Sequence, residues 1–178
     1  MLTVELHTIS PDLSIEDALH LRGFGIQEGT YFYTKGNIKL EGVIDSDKRS
    51  LKINIPPQLN LKQYTIVHHI IKNLILVLNA EYNDSQSLLG YLTNGEGAYI
   101  ITNWDYWVAF LQKAKLRSLE GKKVQVFDEA NKEIASGMFI SYKMDEQSSN
   151  IIECILITHF GERSFKGSNL LIEATNEW

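Results

Sequence analysis

The chain has 178 residues, which fits one ordinary domain or two small ones and allows a hydrophobic core to form without disulfide or metal crosslinks. Its single cysteine excludes an intramolecular disulfide, and a formal net charge of −5 disfavours nonspecific binding to nucleic acid or anionic lipid. No signal-peptide pattern follows Met1, and no uncharged apolar run approaches the roughly 20 residues that span a bilayer, so we expect a cytoplasmic protein that does not enter the membrane.

The first third of the sequence predicts mostly β-strands. Residues 3–10 alternate between apolar and polar side chains, as in a strand with one buried face. A short helix is expected next, because Ser14 or Asp12 can cap it and two acids lie in its first turn. Further alternating runs are separated by turn-forming residues, which predicts an antiparallel meander. These runs are residues 30–34, 37–44 and 50–55.

Residues 56–80 form the most informative segment of the sequence. Two prolines end the preceding sheet, and Asn60 with Gln63 three residues later is a loose capping box, so a helix is predicted over about 60–79. A buried strand over 74–78 is the alternative. The helix is apolar around most of its circumference and needs cover from two sides. A sheet with either a second helix or another subunit would supply that cover, so a homodimer is one predicted arrangement.

A second long helix completes the predicted N-terminal domain. Turn-forming residues dominate 81–97, and a short apolar strand follows them. A helix over about 103–118 is predicted, because Asn103 or Thr102 can cap it and apolar residues recur at helical spacing. We therefore expect an α+β domain over residues 1–118, with an antiparallel sheet packed on two main helices.

The rest of the chain, residues 119–178, predicts an all-β region. About five short strands alternate with turn residues, which is the pattern of a small β-barrel or a curled β-meander. The sequences LEGKKVQVFD and IASGMFISY resemble, in outline, the SH3-like small barrels that end many bacterial proteins. The resemblance covers about a third of the chain, is architectural only, and implies no functional residue. Gly137 is expected at a bulge or bend.

Aromatic residues form one candidate binding surface. Three are consecutive at 31–33 and three more lie within 104–107, so some of them must face away from the core. Surplus aromatic side chains of this kind are typical of protein contact surfaces. The predicted partner-binding residues are Tyr31, Tyr33, Trp104, Tyr106, Trp107 and Trp178.

The sequence contains none of the common nucleotide-binding, hydrolase or metalloprotease motifs, and we predict neither a cofactor nor a metal. His68 and His69 are adjacent on a predicted helix, so their side chains diverge and cannot chelate one metal. We expect His68 to be partly buried and hydrogen-bonded; an enzyme site assembled around it is an alternative. Cys154 and His159 point to opposite faces of one strand, so Cys154 is expected to stay an inert, protonated thiol.

One basic segment interrupts the acidic background. It contains five cations and a single acid, Glu120, and is expected to be the solvated surface of a helix and the turn after it. The alternative is a nucleic-acid-binding ridge on a small barrel. The residues of this basic ridge are Lys113, Lys115, Arg117, Lys122 and Lys123.

The negative charge, the surplus aromatic residues and the lack of catalytic motifs together favour a small protein-binding module without intrinsic catalysis. Such a module would be an immunity-like inhibitor, an adaptor or a subunit of an assembly. An acidic surface suits a basic protein partner. Nucleic-acid binding through the basic ridge and an enzyme site near His68 are the alternatives.

Overall fold

The chain is an α+β protein whose sheets are antiparallel. It divides into two compact units, Met1–Val108 and Ala109–Trp178. Three helices occur in the part of the chain that the structure describes, and none of them is both long and apolar enough to cross a membrane. The structure is a computed structural model, and it describes residues 1–9, 14–45, 49–145 and 150–175.

Six strands of the N-terminal unit form one sheet. They are β1 (Leu2–Thr8), β2 (Gly25–Gln27), β3 (Thr30–Lys35), β4 (Ile38–Ile44), β5 (Ser50–Ile55) and β6 (Ala80–Gln86). Their spatial order is β2-β3-β4-β5-β1-β6, so the predicted first strand and meander are confirmed. The sequence predicts neither edge strand, because β2 has three residues and the sequence of β6, AEYNDSQ, lacks apolar alternation.

Two helices belong wholly to this unit, α1 (Ile15–Leu21) and α2 (Leu61–Leu78). The Ser14 side chain caps α1 by accepting a hydrogen bond from the N–H of Asp17 at 3.1 Å. Asp12, the other predicted cap, lies outside the described residues.

The predicted capping box at the start of α2 is confirmed. The Asn60 side chain accepts a hydrogen bond from the Gln63 N–H at 3.0 Å, and the Gln63 side chain accepts one from the Asn60 N–H at 2.9 Å. The helix ends at Asn79, which adopts the left-handed conformation with φ 43°. The alternative of a buried strand within this segment is therefore wrong.

The core of the N-terminal unit consists of aliphatic side chains from α2 and from one face of the sheet. Burying each such side chain contributes about 1.5–3 kcal/mol before the cost of ordering the chain. Its fully buried members include Val4, Leu6, Leu40, Leu51, Ile53, Val67, Ile71, Leu74 and Leu78. The last turn of α2 is less covered than its sequence predicts, because Leu76 is 71% exposed.

The C-terminal unit is built on a five-stranded sheet. Its strands are β9 (Lys123–Phe127), β10 (Glu133–Met144), β11 (Ile151–Thr158), β12 (Gly161–Lys166) and β13 (Leu171–Ala174). The two strands that precede them in the chain, β7 (Leu88–Tyr91) and β8 (Gly97–Tyr99), form a small hairpin in the N-terminal unit. The order β12-β11-β10-β9-β13 leaves β12 and β13 as edges. Of the two arrangements expected here, a small barrel or a curled meander, the described residues do not form a closed barrel, and the antiparallel meander of β9 to β12 is present.

A helix, α3 (Trp104–Leu119), crosses the division between the units, and its last turns belong to the C-terminal core. That core lies on one face of the five-stranded sheet. Gly137 allows the close approach of β10 to β11, because a Cβ there would lie 2.5 Å from the Ile157 carbonyl oxygen. The buried members of this core are Leu116, Leu119, Val124, Val126, Phe139, Cys154, Leu156, Leu170 and Ile172.

Candidate protein-binding face

The six-stranded N-terminal sheet has one buried face and one face that meets water. Along each strand, fully buried aliphatic residues alternate with polar ones, so the polar side chains share the second face. We call this second face the open face. Its residues are Thr3, Glu5, His7, Phe32, Thr34, Lys39, Glu41, Val43, Asp45, Ser50, Lys52, Asn54, Glu81 and Asn83.

Neighbouring strands pair their polar side chains across the open face. His7 lies directly between Ser50 on β5 and Glu81 on β6, and its Nδ1 atom is 2.9 Å from the Ser50 hydroxyl oxygen. One row away, Lys52 Nζ is 3.8 Å from a carboxylate oxygen of Glu5. These contacts hold the side chains in register, but most of them remain accessible to water.

A depression of about 290 Å³ lies on the open face where β1, β5 and the end of β4 meet. Two carboxylates, an ammonium, an imidazole and a hydroxyl line it, which are those of Glu5, Asp45, Lys52, His7 and Ser50. The set can donate and accept hydrogen bonds and can pair with charges of either sign. It is suited to polar recognition.

The contact between His7 and Ser50 has the distance of a base and its nucleophile. However, His7 is exposed and Ser50 is only half-buried on the surface of a sheet. Catalytic electrostatics depend on preorganised donors in a site that excludes water. The geometry therefore favours recognition over nucleophilic catalysis at this pair.

Negative charge predominates on the open face. Four acids, Glu5, Glu41, Asp45 and Glu81, share it with two lysines. The whole N-terminal unit follows the same trend, with twelve Asp and Glu against eight Lys and Arg in residues 1–108. A partner that brings cations to this face would be attracted to it.

His68 is enclosed within the N-terminal unit. It is 5% exposed, its ring stacks on Trp104 with centroids 4.6 Å apart, and its Nδ1–H donates to the Ile100 carbonyl oxygen at 2.7 Å. Burial lowers the pKa of the imidazole, and the hydrogen bond to Ile100 partly opposes that shift. The ring therefore stays neutral and has a packing role, as expected for a partly buried histidine.

A buried polar network beside His68 holds the segment that precedes α3. The Asp84 carboxylate accepts hydrogen bonds from the N–H groups of Ile101 and Thr102, at 2.9 and 2.7 Å, and from the Thr102 hydroxyl. The Ser87 hydroxyl accepts one from the Ile100 N–H at 3.1 Å. Because these buried groups are satisfied, the network is structural.

The structure buries half of the aromatic residues that the sequence predicts at a contact surface. Tyr31, Trp104 and Trp107 are 5%, 4% and 8% exposed, so they are core residues of the N-terminal unit. Tyr33 is half-buried against Phe24, with ring centroids 5.5 Å apart. The predicted surface is thus not assembled from these residues.

The last two members of the predicted aromatic surface are Tyr106 and Trp178. Tyr106 is 71% exposed on α3 and is available to a partner. Trp178 lies outside the described residues. Tyr106 is not a residue of the open face.

The five residues of the basic ridge are all exposed. Two of them, Lys115 and Lys123, border two different depressions of the C-terminal unit, of about 300 and 430 Å³. Burial raises the pKa of the Cys154 thiol to about 11, so the cysteine is protonated and unreactive at neutral pH. Among the described residues, no three histidine, cysteine or acidic side chains come together to hold a metal.

No protein-family model, curated protein or solved structure matches the chain. The residues of the open face are not among the binding residues predicted from the sequence, although one signal was present. Strand β1 places Glu5 and His7 together on the face opposite its apolar residues. Ser50 and Glu81 flank His7 because β5 and β6 lie on either side of β1. That strand order does not follow from local sequence.

Proposed function

We propose that the protein is a binding module without intrinsic catalysis, and that the open face of its N-terminal sheet binds a basic protein surface. The observation that supports this proposal is a broad, ordered sheet face that is accessible to water and on which acids outnumber lysines. An immunity-like inhibitor, an adaptor and an assembly subunit would all use such a face. The partner would supply Lys or Arg side chains opposite the acids.

Two apolar side chains on the open face support this proposal. Phe32 is 36% exposed and Val43 is 43% exposed, and each lies directly opposite a charged residue of the next strand, Glu41 and Lys52. Protein interfaces combine apolar contacts with a polar, charged surround. The pair formed by Lys52 and Glu5 is partly exposed and 3.8 Å long, so exchanging it for an intermolecular pair costs little.

The test is capture of the partner from the source cell with the immobilised full-length chain. We expect a stoichiometric protein of high isoelectric point whose retention falls as salt rises, because the attraction between exposed charges is screened. The double variant Glu41→Lys and Glu81→Lys reverses two acids in different rows of the face. It should weaken binding of the purified partner by about tenfold or more.

A matched control is Glu28→Lys with Glu96→Lys. These exposed acids lie in turns of the same unit and away from the open face, and the substitution changes net charge by the same amount. The control should bind like the original chain. Equal loss in both double variants would contradict the proposed face, and recovery of a small molecule that raises the melting temperature, with no protein partner, would contradict the proposed function.

Nucleic-acid binding by the C-terminal unit is a second candidate function, favoured by the exposure of all five cations of the basic ridge. It is less favoured than protein binding because two of those cations, Lys115 and Lys123, border separate depressions. Binding of a short oligonucleotide should fall steeply between low and physiological salt. Reversing Lys115 and Arg117 to Glu should abolish that binding and leave binding to a protein partner unchanged.

We also propose that the C-terminal unit is related in arrangement to the SH3-like small barrels that it resembles in outline. The support is the return of β13 to pair with β9, the first strand of the meander, in the register of Ile172 with Val126. An experimental structure with β13 paired elsewhere would contradict this relationship.

A further inference from the structure

The C-terminal sheet exposes apolar side chains on the face opposite its core. Met138 and Ile157 lie directly opposite each other on β10 and β11, and each is 40% exposed. Further exposed apolar residues lie nearby in the sequence: Ile134 and Ile140, which lie at register shifts of β10, are each 37% exposed, and Phe160, in the turn after β11, is 84% exposed. Singly scattered apolar residues are normal on a surface, whereas a cluster on adjacent strands is typical of an interaction site. We call the sheet face that carries Met138 and Ile157 the outer face.

Charged residues flank the apolar pair of the outer face in a definite order. Lys123 on β9 lies opposite Met138, and Glu162 on β12 lies opposite Ile157. The four residues therefore form one row across four strands, with the cation at one end and the acid at the other. Directly opposite residues of antiparallel strands share a face, so all four side chains project from the outer face. Neither Lys123 nor Glu162 forms an ion pair within the described chain.

A second row on the same face carries charges in the order cation, acid, cation. Lys143 on β10 lies opposite Glu153 on β11, and Glu153 lies opposite Lys166 on β12. In the first row the cation lies on β9 and the acid on β12. In the second row a cation lies on β10 and the acid on β11. Lys166 is the other cation of the second row, and it already neutralises Glu153 at 3.8 Å.

This order makes the outer face complementary to itself. A twofold axis parallel to the strands, between β10 and β11, brings the β9 side of one copy over the β12 side of the other. Lys123 of each copy then faces Glu162 of the other, and Lys143 faces Glu153. An axis perpendicular to the strands would instead oppose Glu162 to Glu162 and Lys123 to Lys123. Symmetric dimers use self-complementary patches of this kind.

We propose that the protein self-associates through the outer face of its C-terminal sheet, as a twofold dimer whose axis runs parallel to β10 and β11. The occupant of the outer face is a second copy of this chain. The proposal goes beyond the binding of a basic partner and concerns a different sheet, so either idea can fail without the other.

The dimensions of the outer face fit this arrangement. Two packed sheets lie about 10 Å apart, which the side chains of one Lys and one Glu span together. Four strands about 4.8 Å apart and the eight residues of β11 at about 3.3 Å each give a patch of roughly 500 Å² per subunit. That area is at the small end of specific interfaces, so the dimer should dissociate on dilution.

A depression on the same face provides room for a protruding side chain. It has a volume of about 430 Å³, and the small residues Ser136 and Gly137 line it beside Met138 and Ile157. The proposed axis moves Phe160 of one copy to the β9–β10 side of the other, toward Ser136 and Gly137. A knob and a socket on one surface are the pattern that a twofold dimer requires.

The first measurement is sedimentation of the full-length chain from about 1 µM to about 500 µM, where weak specific dimers populate both states. We expect the weight-average mass to rise toward that of a dimer. A mass that stays monomeric over this range would overturn the proposal.

The decisive measurement is charge reversal with rescue in trans. Lys123→Glu places Glu opposite Glu at both ends of the dimer, and Glu162→Lys places Lys opposite Lys. Each variant alone should therefore associate at least about tenfold more weakly than the original chain. An equimolar mixture restores two opposite-charge pairs and should recover the original association. Misfolding of either variant could not produce that recovery.

Two further variants locate the contact. Ile157→Lys buries a charge at the centre of the proposed interface and should abolish association. Leu76→Lys, an exposed apolar residue on α2 of the N-terminal unit, serves as the matched control and should leave association unchanged. A dimer that survives Ile157→Lys, or a mixture of the two charge variants that stays monomeric, would show that another surface is used and would overturn the proposal.

Discussion

The two main sheets of this protein differ in the face that each leaves uncovered. On the N-terminal sheet that face is polar, and its residues already pair across strands, as His7 does with Ser50. On the C-terminal sheet the corresponding face carries Met138 and Ile157 at its centre. A polar face is stable in water and offers recognition by charge, whereas an apolar face gains free energy when it is covered. The two faces are therefore suited to different kinds of contact.

The largest expected effect comes from the core of the C-terminal unit. Phe139 is fully buried, so Phe139→Ala should lower the free energy of unfolding of that unit by about 3–5 kcal/mol. Ile140, the next residue along β10, is 37% exposed, and Ile140→Ala should cost less than about 1 kcal/mol. Amide hydrogen exchange in β9 to β13 measures the loss of unfolding free energy in each variant. Similar losses for the two variants would remove the distinction between buried and exposed positions of β10.

The N-terminal unit offers the same contrast within one helix. Leu74→Ala removes a fully buried side chain from α2 and should cost about 2.7–5 kcal/mol, whereas Leu76 is 71% exposed and Leu76→Ala should change stability by no more than about 0.5 kcal/mol. Urea unfolding followed by fluorescence of the buried Trp104 and Trp107 reports on this unit. If Leu76→Ala were as costly as Leu74→Ala, the end of α2 would be covered in solution.

A smaller effect is expected from the buried polar network. Asp84→Ala leaves the N–H groups of Ile101 and Thr102 without their acceptor and should cost about 2–3 kcal/mol. Asp84→Asn keeps one acceptor oxygen and should cost less. Fluorescence-detected unfolding distinguishes the two variants. Equal stability of Asp84→Ala and the original chain would mean that the network does not hold the segment before α3.

The smallest expected effect is a pH dependence confined to the C-terminal unit. Burial raises the pKa of Cys154 to about 11, above the ordinary value of 9.0, so the folded unit holds the thiol proton more tightly than the unfolded chain. Stability from this group is fully present below pH 9 and is lost as the pH rises toward 11. Cys154→Val should flatten that part of the profile. An identical slope in both proteins between pH 9 and 11 would contradict this assignment.

Local sequence was sufficient for much of the fold because the relevant interactions are local. The capping box of Asn60 and Gln63 needs only neighbouring residues, and alternation along β1 and β5 identifies their buried faces. Strand β6 was missed because its sequence is polar, and it forms because β1 supplies a partner for its backbone. Local sequence left a barrel and a curled meander as alternatives for residues 119–178, because the closure of a sheet depends on how its edges meet, which strand patterns do not encode.

The candidate surfaces were less predictable than the elements that carry them. Trp104 and Trp107 were expected at a contact surface, yet Trp104 stacks on His68 and Trp107 packs beside Gly90. Their burial requires a helix and a hairpin that are distant in sequence. The row of Lys123, Met138, Ile157 and Glu162 likewise arises from strand register alone.

The sequence by itself determined the helices, most strands, the acidic charge and the protonated state of Cys154, because each of these depends on near neighbours or on composition. Tertiary structure decided which aromatic residues are buried, which face of each sheet meets water and which charges stand side by side. Those properties depend on strand order and register, which bring together residues such as Ser50, His7 and Glu81 from three separate parts of the chain.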